Sequence, residues 1–413
     1  MAHPAHGLSS SLAAQGAVAA TVSGFKLRLC PNRMLELVKQ TMLPEHEEYD
    51  GLGASRGIDL KALKELQAEW NTDFDWSAEQ ESLDKYEQYT AVIEGLTIHF
   101  VHRRSSDPNA IPLILSHGWP GSFAEFLPVI DPLANGDQES SVSFHVVVPS
   151  LPGFVFSSAP PANWTLDDTA RVFDTLMTEV LGYKTYAAHG TDWGAHIAYS
   201  MFDNFSASVR AVHLTSIPFL PVAPAQYPDY GIELDENEKF QQQLMGQWMA
   251  TGLGYYTEQS TKPNTIGLAL YDNPIGQLAW MGEKYIEWSD PSAGTGPSVL
   301  THKEILRQVS LYYLSKSFVS SVFTYAHNAA ASKASYTKAR NDAPMLYSSF
   351  KYNGGFWPKE IIALVGNLVS HTYIFDPNDA ADHDFGGHFA ALDNPPALIG
   401  DIRKIGDYWV KKE

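Results

Sequence analysis

The stretch that most constrains this chain runs from Lys184 to Ser200, KTYAAHGTDWGAHIAYS. A short apolar run, Tyr186 to Ala188, leads into Gly190-Thr191-Asp192-Trp193-Gly194 and then into a helical run of small residues. This is the pattern small-x-nucleophile-x-small between a strand and a helix, a sharp turn that holds its middle side chain up at the strand's end. The middle residue is Asp192, where a serine esterase would carry Ser. A carboxylate is ionised at neutral pH without a base, so it can displace a leaving group at an sp3 carbon. The competing local reading is an Asp that only caps the following helix. The rest of the chain must decide between them.

Strands alternate with helices around this turn. Tyr89 to Ile93 and Leu96 to His102 flank Glu94-Gly95 and read as a β-hairpin. Ile111 to Leu115 is a short buried strand ending in His117-Gly118-Trp119-Pro120-Gly121-Ser122, and Phe144 to Val148 is another. A helix begins after Thr165, with Asp168 completing a capping box and Gly182 as its stop. Ala211 to Leu214 is the strand after the elbow. Such alternation predicts an α/β fold with a mostly parallel central sheet flanked by helices. Pro218, Pro221, Pro224 and Pro228 then open a helix-rich section to about residue 330, placed as a lid inserted between two core strands. The core is expected to resume with Ile361 to Gly366 and a last strand at His371 to Phe375, then a loop to His388 and a closing helix from Pro396 to Val410. The expected organisation is therefore 1–88 tail and helical meander, 89–217 core, 218–330 helical lid and 331–413 core.

Within the meander, Gly53-Ala54-Ser55-Arg56-Gly57 matches G-x-S-x-G literally, but it follows the acidic Glu45 to Asp50 with no strand leading in. It fails the context of a nucleophile elbow. Gly7 to Phe25 lacks a basic start and a long apolar run, and reads as a flexible tail. With no stretch long enough to cross a bilayer, the chain is expected to be soluble. A net charge of −19 argues against nucleic acid and anionic membranes as partners. The single Cys30 forms no internal disulfide, which fits a reducing, cytoplasmic location, and it supplies no cysteine-based metal site.

The order of the polar motifs carries chemical meaning. HGWP comes first, then Asp192, then an acid, then a late His388 on the glycine loop Gly386-Gly387. That is the chain order of the α/β-hydrolase fold. The backbone N–H groups of Trp119 and Trp193 are placed as an oxyanion hole. His189 and His196 flank the elbow in the wrong elements to reach beside its carboxylate, and His145 and His213 lie in strands, so packing roles are expected. For the orienting acid, position leaves Asp376, Asp379, Asp382, Asp384 and Glu360 open.

The motifs HGWPGS, VVPSLPGF, GTDWG and GGHFAAL, with GLGYYTEQSTKP and VSLYYLSKSF, resemble those of the microsomal-type epoxide hydrolases, including soluble fungal members. The resemblance runs from about residue 25 almost to the end. It implies Asp192 as nucleophile, His388 as general base, Glu360 as the acid beside it, and Tyr255 and Tyr312 as lid tyrosines holding the epoxide oxygen. Tyr256 and Tyr313 adjoin these, so a slip of one residue would move the assignment. Thr191 departs from the family's usual glycine, and the membrane anchor of vertebrate members is missing. The implied reaction passes through a covalent ester on Asp192 to a vicinal diol, with no metal or cofactor. An apolar or aryl epoxide is the expected substrate, and a homodimer through the lid or N-terminal segment would fit the family. A haloalkane dehalogenase, with the same Asp-His-acid set, is the nearest alternative. A non-catalytic hydrolase-fold receptor is the alternative from a different class.

Overall fold

The computed structural model describes residues 22–136, 141–372 and 383–409. Its strands are β1 (Val22–Phe25), β2 (Gln88–Ile93), β3 (Leu96–Arg103), β4 (Ile111–Ser116), β5 (Phe144–Pro149), β6 (Tyr186–Gly190), β7 (Val209–Leu214), β8 (Pro344–Ser348) and β9 (Asn367–Thr372). Among the described residues they form a 9-stranded sheet in the order β1-β2-β3-β5-β4-β6-β7-β8-β9. The pairs from β1 to β5 are antiparallel, and all those from β5 to β9 are parallel. Glu94 and Gly95, at φ 51° and 82°, make the hairpin turn between β2 and β3. Strand β6 is buried along its whole length, the pattern of a parallel strand covered by helices on both faces. The capping box at Thr165 forms as predicted, with Asp168 Oδ2 accepting the Thr165 amide at 2.9 Å.

Three elements differ from expectation. Val22–Phe25, read as tail, is an edge strand paired with β2; four residues with one glycine carry too little pattern to be seen alone. Pro344–Ser348 was not expected as a strand, yet β8 sits between β7 and β9; its run is short, and only its neighbours make it a buried strand. The last strand starts at Asn367 rather than His371, directly after a helix at Lys359–Val365. Residues 373–375 of the expected strand lie outside the described residues.

Between β7 and β8 the chain is helical. Helices at Glu236–Gln247, Gly254–Thr261, Pro263–Leu270, Pro274–Glu287, His302–Ser315 and Phe318–His327 form this insertion. The N-terminal segment braces it. Buried Glu79 accepts from Lys303 at 2.7 Å and from Arg307 at 2.5 Å.

A buried polar chain crosses the sheet next to the elbow strand. His189 Nδ1 lies 2.8 Å from His213 Nδ1, and His213 Nε2 lies 2.8 Å from Ser348 Oγ. Ser348 donates to Asp401, which also pairs with His383 at 2.6 Å. Two facing imidazole nitrogens need one donor and one acceptor, so at least one ring of the pair is neutral. Burial lowers His213 to about 4, and does the same to His117. The unfolded chain takes up these protons near 6.5, whereas the native state refuses them until about 4. Stability is thus expected to be full above pH 6.5 and to decline as pH falls toward 4. Thermal melts between pH 7.5 and 4.5 check this, and a melting temperature flat across that range would contradict it.

Candidate active site

The parallel strands deliver their C-terminal ends to one edge, where ligands bind in open α/β sheets. Ser116 at the end of β4 pairs with Gly190 at the end of β6, which sets the HGWP loop beside the elbow. Asp192 follows at φ 51° and ψ −129°, a conformation costly for any residue with a Cβ. The approach is close enough to demand glycine at two places. A Cβ on Gly194 would stand 1.9 Å from Ser116 O, and one on Gly118 would stand 2.0 Å from Asp192 Oδ1. The capping alternative does not describe this carboxylate, which makes no capping hydrogen bond to the helix Trp193–Asn204. Its Oδ1 accepts the Trp119 amide at 2.8 Å, and the Trp193 amide is near enough to the carboxylate to favour its charged form. Burial pushes the Asp192 pKa up, but His388 and these two amides outweigh it and hold the group below its ordinary value. The carboxylate is therefore ionised at neutral pH.

His388 is set by its backbone. Its amide donates to Trp288 O at 2.8 Å, and the preceding Gly386 amide donates to buried Asp290 at 3.0 Å. A Cβ on Gly387 would meet Trp288 O at 2.5 Å, so this loop too needs its glycine. The ring stands with Nε2 at 3.6 Å from Asp192 Oδ2. On its far side Nδ1 faces Asn353 Oδ1 at 3.3 Å, and Asn353 is oriented by donating its own amide to Thr215 O at 2.8 Å.

Glu360, expected beside His388, does not stand there. It is exposed in the first turn of Lys359–Val365, near Glu238, whose pKa is raised mainly by burial and to a smaller extent by the Glu360 charge, and among the described residues it makes no hydrogen bond or ion pair. The Trp357 indole donates to Phe219 O at 3.0 Å, which pins the chain just ahead of this helix. Of the other acids considered, Asp384 pairs with Lys351, while Asp376, Asp379 and Asp382 lie outside the described residues.

The tyrosines divide by what their hydroxyls touch. Tyr255 is buried, stacked on Trp119 with centroids 5.5 Å apart. Tyr312 is also buried, but its hydroxyl donates to Gly121 O at 2.6 Å, so its proton is committed to a backbone carbonyl. Tyr325, which sequence reasoning did not single out, is buried beside Tyr255 and Trp193. Its ring lies 4.9 Å from Trp193 and 5.8 Å from Tyr255, and its buried hydroxyl has no well-formed hydrogen bond among the described residues. Burial and the Asp192 charge push the Tyr255 pKa well up; burial, Tyr255 and Asp192 do the same for Tyr325. The neighbours of the expected pair point elsewhere, Tyr256 to Ala329 O at 3.2 Å and Tyr313 to Asp272 at 2.7 Å. The missed signal was helical spacing: Phe318, Ser321, Val322 and Tyr325 form the buried stripe of Phe318–His327.

An ionised carboxylate on a nucleophile elbow, a histidine beside it and two aimed amides define a hydrolase of the α/β-hydrolase fold. Residues 30–126 match the family described as "Epoxide hydrolase N terminus", and residues 111–255 match the "alpha/beta hydrolase fold" family. The chain is 31% identical over 378 residues to epoxide hydrolase 1 of Sus scrofa, an alignment covering 84% of this chain and 80% of that one. The structure of Aspergillus niger epoxide hydrolase superposes with a TM-score of 0.79 at 33% identity, covering 95% of this chain and 97% of that one. The juvenile hormone epoxide hydrolase of Bombyx mori gives 0.81 at 25% identity, covering 94% and 95%. This chain belongs to the epoxide hydrolase family. That membership, which implies a small-molecule epoxide as substrate, favours the epoxide reading over the dehalogenase one. Among the described residues, no helix is long and apolar enough to cross a membrane, and no group of three or more His, Cys, Asp or Glu could hold a metal ion.

Proposed function

We propose that this enzyme opens its epoxide through a covalent ester on Asp192. The observation that carries the reading is the different surroundings of the two carboxylate oxygens. Oδ1 accepts the Trp119 amide, while Oδ2 faces His388. Oδ2 attacks an epoxide carbon and the C–O bond breaks toward the oxygen. Tyr255 and Tyr325, held protonated by burial, hydrogen-bond to that oxygen and one gives it a proton. In the second half His388 Nε2 takes a proton from water, whose oxygen adds to Cγ of Asp192. The charge formed on Oδ1 rests on the Trp119 and Trp193 amides. The Cγ–Oδ2 bond then breaks, the imidazolium returns its proton to the leaving oxygen, and the diol departs carrying Oδ2. The water's second proton, left on the new Asp192 carboxyl, is released to solvent, and the tyrosine regains from solvent the proton it gave in the first half.

The helical insertion acts as a lid that brings both phenols over the hydrolase core. Trp119, Trp193, Trp288 and the two tyrosines surround the carboxylate, which supports an apolar or aryl epoxide as substrate. A homodimer through the lid, where Leu268 and Tyr271 are exposed, or through the N-terminal segment belongs to the same proposal. Exposed Cys30, the single thiol, supports a reducing cytoplasmic location.

Asn353 is proposed in place of Glu360 as the group that orients His388. A carbonyl oxygen at Nδ1 fixes that nitrogen as the donor and leaves Nε2 basic. With an aryl epoxide, Asn353→Ala is expected to slow diol formation by about 10- to 100-fold, a range set by comparison with the loss of supporting partners of functional histidines. Glu360→Gln should stay within about 2-fold, as for an exposed surface change. A large loss in Glu360→Gln with Asn353→Ala near wild type would restore Glu360.

A further inference from the structure

Four consecutive residues of the loop after β4 are each held from the helical insertion. The Trp119 indole stacks on Tyr255 with planes 9° apart. Pro120 O accepts from the Tyr285 hydroxyl at 2.9 Å, and Gly121 O accepts from Tyr312 at 2.6 Å. Ser122 Oγ donates to Gln308 Oε1 at 2.7 Å. Tyr285, Tyr312 and Gln308 are all buried. Burial raises both phenol pKa values, so each hydroxyl stays a donor. The helix carrying Gln308 and Tyr312 is itself anchored through Arg307 to Glu79 of the N-terminal segment at 2.5 Å. At the head of the gripped loop lies the Trp119 amide, 2.8 Å from Asp192 Oδ1.

We propose that Tyr285 and Tyr312 are positioning residues that fix the Trp119 amide for the second half of the reaction. This rests on the reading that Oδ1 of Asp192 becomes the oxyanion. During ester formation Oδ1 passes from a carboxylate oxygen to an ester carbonyl, so its charge falls and the amide matters less. During hydrolysis full negative charge develops on Oδ1, and a misplaced donor there is costly. Loosening the loop should therefore slow hydrolysis far more than ester formation. A role confined to stability would not separate the two steps.

The experiment is transient kinetics with an aryl epoxide on wild type, Tyr312→Phe and Tyr285→Phe, with ester followed by mass. Tyr313→Phe is the control on the same helix, since its hydroxyl bonds Asp272 instead. In both test variants ester formation should stay within about 3-fold, while hydrolysis slows by about 10-fold or more, less than the ~100-fold or greater loss on deleting an oxyanion donor. Ester should then accumulate, with KM falling alongside kcat, and Tyr313→Phe should behave as wild type. Parallel slowing of both steps, unchanged hydrolysis, or the same split in Tyr313→Phe would overturn the proposal. Should Tyr312→Phe fail to fold, Tyr285→Phe decides alone. If His388→Gln traps no ester at all, the covalent reading itself fails and the proposal goes with it, a result distinct from the others.

Discussion

Asp192→Ala is expected to lower turnover by roughly ten-thousand-fold or more while leaving a folded protein, as for loss of a nucleophile in other hydrolases. The fold should survive because the carboxylate is not a helix cap and its removal takes an ionised group out of a largely buried site. His388→Gln should fail differently. Oδ2 can still attack, since the Trp119 amide still donates to Oδ1 and the Trp193 amide still lowers the carboxylate pKa. The larger lowering by His388 is gone, and no base remains for water. The variant should stop at the ester, its mass raised by one substrate. Steady diol release from either variant at near the wild-type rate would remove Asp192 and His388 from these roles.

Tyr255→Phe and Tyr325→Phe should act on the first half instead. Each removes a donor from the oxygen on which charge develops, a loss of about 100-fold or more by analogy with oxyanion donors. The double variant should form almost no ester. Because burial and Asp192 push both phenols well above 10, ester formation should not fall away on the alkaline side until pH exceeds that value. Burst kinetics of ester formation measure this directly. Tyr312→Phe, by contrast, should form ester nearly as wild type does. A burst lost in Tyr312→Phe and kept in Tyr325→Phe would reinstate the assignment expected from sequence.

That proposed exchange of tyrosines marks where the sequence stops being informative. The elbow was legible because GTDWG has a local requirement: two glycines, a strand before and a helix after. The HGWP loop and the GGHF loop were legible for the same reason, as each needs glycine where another chain segment approaches. The hairpin at Glu94-Gly95 and the capping box at Thr165 are also local, and both formed. Tyr312 and Tyr325 are different. Both lie on the buried stripes of neighbouring helices, and only the partner of the hydroxyl, Gly121 O in one case, tells them apart. Asn353 was invisible because nothing near it in sequence suggests His388, which is 35 residues away. Strand β8 was missed because its burial comes from β7 and β9 rather than from its own pattern.

The covalent step is tested most directly by a single turnover in 18O-labelled water with enzyme in excess, followed by peptide mapping. Water adds to Cγ and the diol leaves with Oδ2, so the label should appear in the peptide containing Asp192 and be missing from the diol. Label in the diol, with the Asp192 peptide unlabelled, would mean that water attacks the epoxide itself and would contradict the ester.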